Sequence, residues 1–196
     1  MERPRGVLSA LALLSLAAFL TACSHGAMSA SVDNGKGTVN VFLTDAPLDL
    51  ANVQSVNVTL TGVILYPGDA QGDSLLNDTS DEDGTPVVIV SHPATFDLLT
   101  LTGGATTLIG TDEVPAGAYS RIRLVVEEAS LTYLDGTIAP LKIESGKVDV
   151  PIRFDVTRDE TTGIVLDFDA AASVQVNDPA GNGLILRPVV TPKKIL

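Results

Sequence analysis

K-V-D-V-P-I-R-F-D-V, Lys147 to Val156, is the stretch that decides the fold. Val148, Val150, Ile152, Phe154 and Val156 occupy every second position. Strand side chains alternate between two faces, so this spacing reads as a strand with one face in a core and one in water. Pro151 cannot donate to a ladder, which predicts an edge strand or a bulge at that point.

The same pattern runs outward in both directions. Thr38 to Thr44 sets Val39, Val41 and Leu43 on one face. Val53 to Tyr66 sets Val56, Val58, Leu60 and Ile64 against Asn57, Thr59 and Thr61. Ser120 to Glu127 carries Ile122, Leu124 and Val126 inward, with Arg121 and Arg123 outward. Thr162 to Asp169 carries Ile164, Leu166 and Phe168 inward, with Asp167 and Asp169 outward. Shorter strands are expected at Pro86 to Ser91, Thr95 to Leu101, Thr106 to Gly110, Ala172 to Val176 and Leu184 to Val190. Ala129 to Leu134 and Thr137 to Ile143 read as a hairpin about Asp135-Gly136, a strong turn dipeptide. About ten short strands in one domain give an all-β fold, two packed antiparallel sheets forming a sandwich, immunoglobulin-like or prealbumin-like. A closed barrel is the alternative. Two punctuation marks stand out. Pro47 stops the first strand, and V-P-A-G-A-Y at Val114 to Tyr119 opens a strand through Gly117. There the Tyr119 hydroxyl is expected to pin the corner.

The N-terminus is ordered as an export signal. Arg3 and Arg5 precede an apolar run, Val7 to Leu20, which is shorter than the roughly 20 residues a spanning helix needs. L-T-A-C, Leu20 to Cys23, then has the form of a bacterial lipoprotein cleavage box. On that likeness residues 1–22 are a signal peptide, and Cys23 carries acyl chains that anchor the protein in a membrane. Ser24, rather than aspartate, after the cysteine implies the outer membrane in a Gram-negative host. Residues 23–36 read as a lipidated flexible tether, residues 37–192 as one domain, and residues 193–196 as a solvated tail.

Composition narrows the partners. The chain has 24 acidic and 12 basic residues; without Glu2, Arg3 and Arg5 it keeps 23 and 10, a net charge of −13. Phosphate backbones require a basic patch, so nucleic acid is excluded as a partner. Cys23 is the only cysteine, so no disulfide can form within the chain. Residues 67–86 form an acidic insert, longer than ordinary connections.

G-T-V-N-V-F-L-T-D-A-P at Gly37 to Pro47 and L-D-F-D-A-A-A-S-V at Leu166 to Val174 resemble motifs of a bacterial and archaeal lipoprotein family, domain of unknown function 4382. T-F-D-L-L-T-L at Thr95 to Leu101, V-P-A-G-A-Y-S-R-I-R-L at Val114 to Leu124 and L-R-P-V at Leu186 to Val189 fit the same family in order. The resemblance covers nearly the whole chain after the signal. It implies export and a β fold, and no activity.

For chemistry, carboxylates are the main material. Calcium takes six to eight oxygens, many from carboxylates. Asp45, Asp49, Asp78, Asp81, Asp83, Asp167 and Asp169 are the candidate ligands. D-E-D-G at Asp81 to Gly84 is not an EF-hand, because Thr79 and Val90 stand where that loop needs ligands. The competing reading of Asp167 and Asp169 is a cross-strand ion-pair ladder with Arg121 and Arg123. No nucleophile, metalloprotease or phosphate-loop signature occurs, which leaves no catalytic residues. His92 is the sole histidine of the domain. Absence of tryptophan argues against a stacking platform for sugars. The expectation is a non-enzymatic, membrane-anchored envelope domain binding an unknown envelope protein or small ligand. A calcium-dependent structural or adhesive domain and a carbohydrate-binding module are the alternatives.

Overall fold

The alternation seen in the sequence becomes strands because each strand gains a buried apolar face. β1 (Lys36–Thr44) buries Val39, Val41 and Leu43 almost completely. β2 (Val53–Pro67), β3 (Val87–Val90) and β4 (Ala94–Asp97) follow. A 3-10 segment, Leu98–Gly104, leads to β5 (Thr107–Pro115) and the long β6 (Gly117–Tyr133). β7 (Ile138–Pro140), β8 (Lys142–Ile143), β9 (Lys147–Val156) and β10 (Thr161–Phe168) come next. One helical turn, α1 (Ala170–Ser173), precedes β11 (Val174–Gln175), β12 (Ile185–Leu186) and β13 (Val190–Ile195). The computed structural model describes residues 35–46, 52–68, 85–175 and 183–196. Cys23, Pro47, Asp49, Asp78, Asp81 and Asp83, and with them most of the acidic insert, lie outside the described residues.

Two main sheets make a β-sandwich, and neither closes into a barrel. One has the order β13-β10-β1-β5. The other has the order β3-β2-β6-β7, with β4 also on β2 and β9 also on β6. A small sheet, β11-β12-β8, stands beside them. The buried faces meet in one cluster. Val41 and Leu166 come from the first sheet, and Val58, Leu124 and Val150 from the second. β9 keeps its alternation over all ten residues. Among the described residues it pairs only with β6, and the register slips opposite Pro151, so that proline sits on an edge strand and beside a bulge at once.

Five sequence expectations change. The pairing is not purely antiparallel: β1 runs parallel to β10, and β12 parallel to β8. Ile64 is not in line with Val56, Val58 and Leu60. Irregularities around Thr59, Leu60 and Gly62 shift the phase, so Val63 and Leu65 are buried instead. Gly62 belongs there because a Cβ would stand 3.0 Å from the Val125 side chain. Thr95 to Leu101 is strand only to Asp97, whose carboxylate accepts from the Leu99 N–H and starts the 3-10 segment. Ala172 to Val176 likewise begins inside α1, because Asp169 caps Ala172 and alanine favours the helical turn. Lys193 and Lys194 belong to β13, paired with β10, rather than to a tail.

Candidate functional site

Parallel pairing has a consequence that antiparallel pairing lacks: both strands end at the same place. β1 and β10 are in register to their last paired residues, Thr44 opposite Asp167. The two motifs T-D-A-P and L-D-F-D therefore meet, although 125 residues separate Asp45 from Ala170. Asp45 is 2% exposed. Its Oδ1 accepts the Ala170 N–H at 2.9 Å. Its own N–H donates to the Leu101 carbonyl at 3.1 Å, and the Thr44 hydroxyl lies 2.7 Å from the Ala105 carbonyl.

The neighbouring motifs tie into the same knot. The Asp169 N–H donates to the Val189 carbonyl, while its carboxylate caps α1 through the Ala172 N–H at 2.8 Å. Ser173 is fully buried. Its hydroxyl donates to the Asp169 carbonyl and accepts the Val189 N–H at 2.8 Å. Four separated stretches, at Thr44-Asp45, Leu101, Asp167 to Ser173 and Val189, thus converge. Ser173 is not singled out by the sequence; its one signal is its place four residues after a capping aspartate.

Two carboxylate oxygens in this knot are buried with no hydrogen-bond partner: Asp45 Oδ2 and Asp167 Oδ1. Native proteins leave few such groups, because an unpaired buried acceptor costs its full desolvation. Burial pushes the Asp45 carboxyl up to about 6. The Asp167 and Asp169 carboxylates push it further the same way, while the Ala170 and Ala46 N–H groups oppose them. The Lys193 ammonium pairs with Asp167, 2.8 Å from its Oδ2. Among the described residues no three Asp, Glu, His or Cys side chains stand together closely enough to hold a metal ion.

The expected ladder of Arg121 and Arg123 with Asp167 and Asp169 does not form. β6 and β10 lie in different sheets. Both arginines instead face Asp149 on β9: Arg123 makes two bonds of 2.8 and 2.9 Å, and Arg121 stands at 3.7 Å. Their guanidiniums also cover the Tyr66 ring, at 4.0 and 5.1 Å from its centroid. The bond from Arg123 holds the Asp149 carboxyl below its usual range. Two residues before Arg121 on β6, the Tyr119 hydroxyl donates to the Pro115 carbonyl at 2.9 Å, and its ring stacks on Phe154 at 5.2 Å. Gly117 turns the chain there with φ +154.

A groove of about 690 Å³ opens on the second sheet, with Asn57, Thr59, Glu127, Glu128 and Ser130 on its floor and Pro140 on its wall. Among the described residues no aromatic ring lines it. Among the described residues no helix is long and apolar enough to cross a membrane.

The family model described as "Domain of unknown function (DUF4382)" matches residues 36–188. No curated protein and no solved structure matches the chain.

Proposed function

The chain belongs to the family of domain of unknown function DUF4382, and from that premise we propose that it is an exported lipoprotein whose β-sandwich is a non-enzymatic envelope domain. The observation that carries this reading is the L-T-A-C box at Leu20 to Cys23, followed by a strand domain that begins at Lys36. In this reading Cys23 takes the acyl chains, and the segment up to Lys36 spans at most about 45 Å. The sandwich then works close to the membrane surface, where it meets an envelope protein or a small ligand. Two or more acyl chains make such anchoring stable, at about 0.8 kcal/mol per buried methylene.

Cys23→Ala tests the reading by membrane fractionation of expressing cells. The wild type is expected in the membrane fraction with an N-terminal peptide mass that includes acyl chains, and the variant outside it. A variant that stays with the membrane, or a wild type without acyl mass on Cys23, overturns the proposal.

A further inference from the structure

We propose that the groove on the outer face of the second sheet binds a small organic amine of the polyamine class. Strand register builds the groove. Thr95, Thr59 and Glu128 stand in one cross-strand row, and Asn57, Ser130 and Pro140 in the next. Val56, Val58 and Leu60 point into the core, so Asn57 and Thr59 between them face outward. The ladder slips between the pairs Thr59–Glu128 and Leu60–Val126, which leaves Glu127 as an extra residue. Strict alternation would turn one of two neighbouring glutamates inward; the bulge leaves both exposed and lining one groove. Both flanks are fastened to β6. The Val126 N–H donates to the Gly146 carbonyl at 2.7 Å, and the Leu141 N–H to the Ala129 carbonyl at 2.9 Å. A Cβ on Gly146 would stand 2.8 Å from the Val126 carbonyl oxygen, so the loop before β9 sits tight against the bulge. The groove is therefore formed before any ligand arrives, and its volume of about 690 Å³ lies within the roughly 300–1,000 Å³ of small-ligand sites.

The lining selects the ligand. Its polar atoms are weighted toward acceptors. The Asn57 Nδ2 donates to the Ser55 hydroxyl at 3.0 Å, which leaves Oδ1 to accept. The Thr59 and Thr95 hydroxyls lie 2.8 Å apart, so one of their two donors is already used between them. Ionised Glu127 and Glu128 only accept. Among the described residues neither glutamate has an ion-pair partner, and no Lys, Arg or His lines the groove. Anionic ligands are therefore repelled, and a neutral sugar leaves both charges unanswered. A ligand with several N–H donors and more than one positive charge answers the acceptors and the charge together. Pro140, Leu141 and Ile143 supply apolar surface for the methylenes between its nitrogens. The chain's net charge of −12 draws such a cation from solution. The inference rests on the proposed envelope reading only for where the ligand is met; binding to the purified protein does not require an acylated Cys23.

The test is isothermal titration calorimetry of the full chain in nonionic detergent and low salt at pH 7.5, with spermidine as the probe and maltotriose as the neutral comparison. Spermidine is expected to bind with a Kd on the order of 0.1 mM, and maltotriose to give no heat of binding. Glu127→Gln combined with Glu128→Gln should weaken spermidine about tenfold without lowering the melting temperature, since both side chains are exposed. Thr95→Tyr fills the groove without changing its charge and should abolish binding. Asp112→Asn combined with Glu113→Gln removes two exposed charges from β5 in the other sheet and should leave the affinity within roughly twofold. Absence of spermidine binding overturns the proposal. So does binding that the glutamate pair or Thr95→Tyr leaves unchanged, or that the β5 variant weakens equally, because the amine is then held by overall acidity. Binding of maltotriose in place of spermidine makes the groove a sugar site and refutes the amine.

Discussion

Replacing Asp45 by asparagine removes one charge and almost no volume. The amide oxygen still accepts the Ala170 N–H, so the tie between T-D-A-P and L-D-F-D survives. What disappears is the cost of keeping a carboxylate ionised where it is 2% exposed and feels the Asp167 and Asp169 carboxylates. The carboxyl is raised from 3.8 to about 6. A tenfold change in proton affinity corresponds to about 1.4 kcal/mol, so ionised Asp45 costs the fold up to roughly 3 kcal/mol. The sign follows from linkage. The folded protein holds this proton more tightly than the unfolded chain, so the contribution is fully present below pH 3.8. It is lost as the pH rises to about 6, and is constant beyond. At pH 7.5, Asp45→Asn should therefore raise the unfolding free energy by about 1–3 kcal/mol. At pH 4 most of the gain should vanish, since folded wild type is then neutral at this position as well. Urea denaturation at both pH values measures this. A variant equally destabilised at both would show that the carboxylate charge is not a burden, and the reasoning from the orphaned oxygen would fall.

Three further substitutions probe the frame around this knot. Ser173→Ala removes the acceptor of the part-buried Val189 N–H and should cost about 0.5–1.5 kcal/mol in urea titration; no loss would mean the bridge contributes nothing. Tyr119→Phe keeps the stack on Phe154 and removes only the bond to the Pro115 carbonyl, so about 0.5–1.5 kcal/mol should be lost. A cost several times larger would show that the hydroxyl does more than close the corner. Gly37→Ala sets a methyl carbon 2.2 Å from the Thr157 carbonyl oxygen, which is backbone and cannot swing aside. A loss of about 1–3 kcal/mol or more is expected, and a neutral result would refute the close approach of β1 to the turn after β9.

Strands are legible in the sequence wherever a single face is buried throughout, as in β9, whose alternation is unbroken. Phase is lost where the ladder slips. Val63 and Leu65 replace Ile64 because a bulge near Gly62 costs one position, and composition does not announce bulges. Glu127-Glu128 reads as a strand end for the same reason. β6 continues through an irregularity opposite Thr59 and Leu60, so Ala129 and Leu131 return to the core. Asp97 and Asp169 read as charges, whereas locally they act as caps. The acids of the site are visible as candidates, but their companions are not. Which strands become neighbours is a non-local property, and only the pairing of Thr44 with Asp167 separates Asp167 from Arg121 and Arg123. The periodicity of β10 alone is compatible with either neighbour.

The most direct measurement is a carboxyl carbon-13 NMR titration of the full chain in detergent, with Asp45→Asn as the assignment. One aspartate resonance, absent from the variant, should titrate with a midpoint near 6. If the resonance that the variant lacks titrates below pH 5, Asp45 is not buried at the joint end of β1 and β10 as described.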